Sequence, residues 1–172
     1  MNNYYTVQAN WQEQWYITVI SLHDDPTPSQ WVNTADNLTV SVTSPADNDG
    51  AGTQYRCIGY SVDGGDLSAG TRCTFVNVHA PHTIEFDWTA QFYVTTATNL
   101  GTVSPASGWY DVGSIVSIEA TAPTLTAGRG YVWHGWTGTG IESYSGPDNP
   151  AAITVHGVIN ETAYWKIEPL VS

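Results

Sequence analysis

The stretches YTVQANW (5–11), HTIEFDW (82–88) and NETAYW (160–165) decide how this chain is built. Each ends in tryptophan, and Trp11, Trp88 and Trp165 are separated by the same 77 residues (88 − 11 and 165 − 88). Self-similarity at a fixed long period marks a tandem array. Three closing segments serve only two repeat bodies. The spacing therefore predicts an extra N-terminal strand over 1–13, equivalent to the closing strand of a preceding repeat. A first β repeat follows over 14–90, a second over 91–166, and a short tail over 167–172.

Outward from the tryptophans, the two bodies align segment by segment. Each opens on an aromatic strand, QWYITVIS (14–21) and QFYVTTAT (91–98). A proline-containing loop with its own tryptophan follows, PSQWVNTADN (28–37) and PASGWYDVGS (105–114). Next come LTVSVTSP (38–45) and VSIEATAP (116–123), where Leu38, Val40 and Val42, or Val116, Ile118 and Ala120, share one face of a strand. A turn-rich excursion leads to a third strand, YRCIGY (55–60) and YVWHGW (131–136). Gly59 and Gly135 within it suggest a bulge or a close backbone approach. A fourth strand and the closing strand complete each body. Turn residues punctuate the chain and no segment has helical periodicity. The expected fold is all-β: two tandem small antiparallel domains of about five strands each, sandwich or β-grasp-like.

Composition limits the function. Of 172 residues, only 12% are charged, against roughly 25% in average globular proteins. Threonine, serine, glycine, asparagine and aromatics take their place, which suits strands with polar loops. Four basic residues face sixteen acidic ones, a net charge of −12, so a phosphate-tracking nucleic-acid surface is excluded. An anionic membrane surface would repel the chain, and no apolar run reaches spanning length. No nucleophile elbow, phosphate loop or carboxylate pair stands out, and the chain is read as a non-enzyme.

The second body resembles a known family. Its GWYDVGS, VSIEATAP, GYVWHGWTGTG and ITVHGVINETAYW segments are similar to the divergent B-repeat of internalin-type bacterial surface proteins. The matching elements are Gly108-Trp109-Tyr110, Val116-Ile118-Ala120, Trp133 to Gly138 and Thr162 to Trp165. The first body departs from it, with Gln30 in place of the glycine and Tyr60 in place of the tryptophan of the third strand. The resemblance covers 14–165. It implies small β units in large secreted or cell-surface proteins, acting as spacers and adhesion modules without a shared catalytic site.

Several residues are candidates for more than packing. Cys57 and Cys73 are the two cysteines, and their even count favours a disulfide over two buried thiols. Asp47 and Asp49 open a calcium-like Asp47-Asn48-Asp49-Gly50 loop, but the distal carboxylate is missing and a solvated turn accounts for the pattern. No cofactor is expected. Trp31, Trp109 and Trp136 lie in or beside loops; they form either a glycan platform or packing anchors. Asn37 and Asn160 begin glycosylation sequons. Alternation over 4–11 places Tyr5, Val7, Ala9 and Trp11 on one face, a strand that would add to a neighbouring sheet edge. The leading expectation is an extracellular or cell-surface spacer or adhesion stalk. Its partners would be other domains of a larger surface protein or copies of itself. A filament subunit donating residues 4–11 and a carbohydrate-binding module are the alternatives.

Overall fold

A computed structural model describes residues 6–125 and 129–169 of the chain. The strands are β1 (Gln14–Ser21), β2 (Gln30–Asn33), β3 (Leu38–Ser41), β4 (Thr53–Val62), β5 (Arg72–Phe75) and β6 (His82–Thr98), then β7 (Thr102–Ser104), β8 (Gly108–Asp111), β9 (Ile115–Thr121), β10 (Arg129–Thr139), β11 (Ala151–Thr154) and β12 (Ile159–Pro169). Among the described residues there is no helix, and the fold is all-β. β12 runs on to Pro169, so the strand reaches past the expected tail boundary at 167.

Two compact units arise. Unit 1 takes the chain up to Ser44 together with Cys57–Trp88; unit 2 takes Pro45–Arg56 together with the chain from Thr89 onward. The excursion between β3 and β4 thus belongs to unit 2, although sequence order puts it inside the first repeat.

In unit 1, β1 lies between β2 and the first half of β6, and β4 also pairs with β6. β3 and β5 form a second, antiparallel sheet. In unit 2, the second half of β6 lies between β8 and β12, and β10 pairs with β12. β7, β9 and β11 form its second sheet.

The expectation of purely antiparallel domains is corrected here. β1 and β6 run parallel, from Ile17 opposite His82 to Ser21 opposite Phe86. β6 and β12 run parallel in the same way, from Val94 opposite Ile159 to Thr98 opposite Ala163. A parallel pair needs a long crossover, and the strands of the second sheet supply it in each unit. Local alternation carries no mark of that crossover, which is why hairpin logic gave the wrong direction.

Each unit closes around one core. Val94, Ile118, Trp136, Ile153, Ile159 and Ala163 bring both sheets of unit 2 together. Ile17, Val40, Cys57, Phe75, Ile84 and Phe86 do so in unit 1. β9 shows the cause in its sequence: IVSIEAT alternates exposed and buried at every step, so one face faces solvent and the other fills the core. Burying each isoleucine contributes about 1.5–3 kcal/mol. The proline loops are fastened alike in both units. Val19 N–H donates to Ser29 Oγ at 2.8 Å, and Thr96 N–H donates to Ser107 Oγ at 3.0 Å.

The strand glycines have a steric role. The β10–β12 register shifts between Trp133 and Gly135, as a bulge requires. Gly135 has φ 121°, and a Cβ there would stand 2.8 Å from the Gly146 carbonyl oxygen. Trp136 and Gly146 exchange backbone hydrogen bonds across this approach. Tyr60 and Ser68 do the same beside Gly59. Gly135→Ala is expected to destabilise the protein by about 1–3 kcal/mol through strained backbone and displaced loop; chemical denaturation measures it, and a change below about 0.5 kcal/mol would contradict the steric role.

Candidate functional site: a repeated aromatic face

The most distinctive surface feature occurs once in each unit. Tyr16 stands opposite Trp31 on β1 and β2, with ring centroids 5.1 Å apart and planes at 60°. Tyr93 stands opposite Trp109 on β6 and β8, at 5.2 Å and 67°. Both pairs are edge-to-face, the arrangement the ring quadrupole favours. Period-two alternation puts Thr18 and Thr95 on the same face as their tyrosines. A polar bond flanks each pair: Gln14 Nε2 to Asn33 Oδ1 and Gln91 Nε2 to Asp111 Oδ1, both 2.9 Å.

In unit 2 the excursion Pro45–Arg56 runs along β6 and borders this face. Tyr93 N–H donates to the Gly52 carbonyl at 2.9 Å. Gly52 fits so closely that a Cβ would come within 2.9 Å of Val158 Cγ2. A chain of side-chain bonds holds the excursion down. Asn48 Nδ2 donates to Gln54 Oε1 at 3.2 Å, and Gln54 Nε2 donates to Gln91 Oε1 at 2.9 Å. Asp111 then accepts from Gln91 and, in two-point fashion, from Arg56, whose Nε lies 3.1 Å from Oδ1. Arg56, followed by Gln91, holds the Asp111 carboxyl below its ordinary range. Beside the excursion a cleft of about 380 Å³ remains, lined by Asn48, Tyr93, Thr95, Trp109 and Asn160 among others.

Unit 1 has a smaller cleft of about 220 Å³ at the equivalent place, lined by Tyr16, Thr18, Asp63, Pro81, His82 and Thr83. Asp63 Oδ1 accepts the Thr83 N–H at 2.8 Å, and Oδ2 meets His82 Nδ1 at 2.7 Å. Thr83, then His82, holds the Asp63 carboxyl below its usual range. No described segment lies over Tyr16, and Trp31 is 62% exposed.

The expected glycan platform of Trp31, Trp109 and Trp136 is divided by the fold. Trp31 is exposed in unit 1 and Trp109 lines the unit 2 cleft. Trp136 is only 3% exposed in the unit 2 core, so its platform role is withdrawn: it follows the bulge glycine, which turns its ring inward.

The disulfide expectation is also corrected. Cys57 and Cys73 both remain thiols. Cys57 Sγ points at the Gly59 and Gly70 carbonyls, 3.3 and 3.8 Å away. Cys73 has a hydrogen bond with the Tyr60 side chain, and burial pushes its thiol pKa up. Each sulfur thus has a polar neighbour of its own in a packed core, the second of the two readings the sequence allowed.

In the calcium-like loop, Asp49 Oδ1 accepts the N–H groups of Ala51 at 2.7 Å and Thr53 at 2.9 Å. Backbone bonds, Thr53 foremost, hold that carboxyl low. Asp47 adopts a positive φ of 51°. This is the turn chemistry of Asx residues. Among the described residues no three His, Cys, Asp or Glu side chains gather as a metal site. The proposed donor strand is described only from residue 6, so Tyr5 lies outside it. Residues 6–13 form no strand, and Val7 and Trp11 are 92% and 94% exposed. Ala9 is exposed as well.

One buried group escaped the sequence reading. Glu161 on β12 is 1% exposed, at the place filled one repeat earlier by Ile84. Its Oε1 accepts the Tyr144 N–H at 2.7 Å, while its buried Oε2 has no partner among the described residues. Desolvation raises its pKa, opposed by the Tyr144 bond. The signal was the sequence difference itself: an acid where the other repeat has isoleucine.

The chain was compared with protein-family models, with curated proteins and with solved structures, and it matches none of them.

Two outcomes follow from this chemistry. Glu161 has a folded pKa above its ordinary 4.5, so folding disfavours its ionised form. The destabilisation is absent below the unfolded pKa, grows as pH rises toward the folded value, and levels off above it. Thermal melts from pH 4 to 8 should show this decline, and Glu161→Gln should remove it; an unchanged pH slope in the variant would refute the assignment. For Arg56 and Asp111, both partly exposed, a double-mutant cycle with alanine should give a coupling of about 0.2–1 kcal/mol, and zero coupling would remove the pair from the anchor.

Proposed function

We propose that this chain is a non-enzymatic structural repeat module of an extracellular or cell-surface protein, a spacer or stalk that carries tension between other domains. The observation that supports it most is strand direction. In each unit the first and last strands are parallel neighbours. The chain enters at the start of one and leaves from the end of the other. Tension on the chain therefore draws the two strands past each other along their length. Their backbone bonds are loaded together in shear, where an antiparallel hairpin pulled at its open end yields one bond at a time.

Other features agree with this reading. The repeat places two equivalent units in series, as an extendable array requires. The B-repeat-like motifs point to the same class of surface spacer. Sparse charge of mainly one sign keeps such a chain soluble without recruiting nucleic acid. Natural partners are other domains of a longer surface protein or further copies of the chain.

Pulled from its two ends in a single-molecule force experiment, the protein should give two unfolding events, each releasing about 25 nm of chain. Handles on Gln14 and Asn33, which stand opposite at the open end of the antiparallel β1–β2 pair, should open unit 1 at distinctly lower force. Equal forces in the two geometries would refute the load-bearing reading.

A further inference from the structure

We propose that the cleft of unit 2 binds an uncharged oligosaccharide, with Tyr93 and Trp109 as its apolar wall and Asn160 as the side chain that reads hydroxyl groups. The cleft volume of about 380 Å³ falls at the lower end of the roughly 300–1,000 Å³ of small-molecule sites.

Charge selects the ligand class first. No Asp, Glu, Lys, Arg or His lines the cleft. The carboxylates of the bordering segments are engaged elsewhere: Asp49 accepts the N–H groups of Ala51 and Thr53, and Asp111 accepts from Arg56 and Gln91. A cation therefore finds no free counter-charge, and a chain of net charge −12 repels an anion. A neutral ligand meets neither obstacle.

The mixture of surfaces points to a sugar. A pyranose ring presents C–H groups on its faces and hydroxyls around its rim. Tyr93 and Trp109 supply aromatic surface in an edge-to-face pair. Asn160 supplies an amide donor and acceptor on one side chain, which suits two neighbouring hydroxyls. That side chain is exposed and has no hydrogen bond with another described residue. Thr95 stands opposite Asn160 in the parallel β6–β12 register and adds a hydroxyl to the same cleft. The bordering excursion is already ordered. Asn48 Oδ1 accepts the Gly50 N–H at 2.9 Å, and the Gly52 carbonyl accepts the Tyr93 N–H. A wall fixed before binding loses little freedom when the ligand arrives.

Unit 1 provides the contrast. Its smaller cleft has Thr83 where unit 2 has Asn160, one 77-residue period later, and is lined by the Asp63–His82 pair instead of an excursion. Trp31, though 62% exposed, is not part of that lining. The sugar site therefore belongs to unit 2. This goes beyond the spacer reading and does not depend on it, because a unit that bears little force can still hold the cleft.

Titration calorimetry and nitrogen–proton correlation spectra of the full chain test the proposal, with cellotriose, maltotriose and the trimer of N-acetylglucosamine as probes. The chain is produced in a host that attaches no N-glycans, so that Asn160, which begins a sequon, keeps its amide. At least one trimer should bind with a dissociation constant of about 1 mM and shift the Asn160 amide and Trp109 indole signals. Asn160→Ala, at an exposed position, should melt like the wild type and weaken binding at least tenfold, as should Trp109→Ala. Trp31→Ala should bind like the wild type. Failure of all three trimers to bind at about 10 mM overturns the proposal. So does binding that survives Asn160→Ala and Trp109→Ala, or that is lost with Trp31→Ala. Trigalacturonic acid bound as tightly as the neutral trimers would contradict the uncharged lining. A decaproline peptide that shifts the same signals while no trimer does would overturn the sugar in favour of a proline-rich segment.

Discussion

The parallel backbone pairing between the first and last strand of each unit is the constraint on which the other features rest. It fixes β1 beside β6 and β6 beside β12. Once those pairs exist, the intervening chain must cross over, and its crossover becomes the second sheet. The core is then the space between the two layers, filled by alternate residues of strands such as β9. The same pairing makes the closing strand of one repeat continuous with the opening strand of the next, within the seventeen residues of β6.

Within that frame the two repeats vary at their interiors while keeping their outer aromatic pairs. The position of buried Cys57 holds Trp133 in unit 2, where it packs on Trp136 and Trp165. Ile84 gives way to Glu161, a buried acid held by a single backbone donor. The exchange is incomplete in hydrogen bonding, since Glu161 Oε2 and the Trp136 and Trp165 Nε1 atoms are buried without a partner among the described residues. The Tyr–Trp pairs on the solvent side recur with almost the same spacing and tilt. A packing need inside each core does not explain an outward pair.

Much of the fold was legible in residues. Trp11, Trp88 and Trp165 revealed the period, alternation located the strands, and Gly59 and Gly135 announced close backbone approaches. The tryptophans nevertheless have unlike surroundings. Trp88 Nε1 donates to Ser21 Oγ, Trp165 packs against the unit 2 core, and Trp11 is exposed. Trp136, read at the end of the third strand as either a platform or a packing anchor, proves to be the anchor, because the bulge at its preceding glycine turns it into the core. Cys57 and Cys73 were misread because an even count says nothing about where two sulfurs point. The candidate site was half visible: Trp31 and Trp109 were singled out, but their tyrosine partners had been read as ordinary strand residues.

The sequence by itself determined the period, the strand content and the apolar face of each strand, because these depend on residues close together along the chain. Only the tertiary structure decided that the terminal strands of each unit are parallel, that Pro45–Arg56 belongs to unit 2, and that Tyr16 meets Trp31 and Tyr93 meets Trp109. Those outcomes depend on contacts between segments well separated along the chain. Local propensity is the same whichever neighbour a strand or loop finally meets, and packing and hydrogen bonding choose between them.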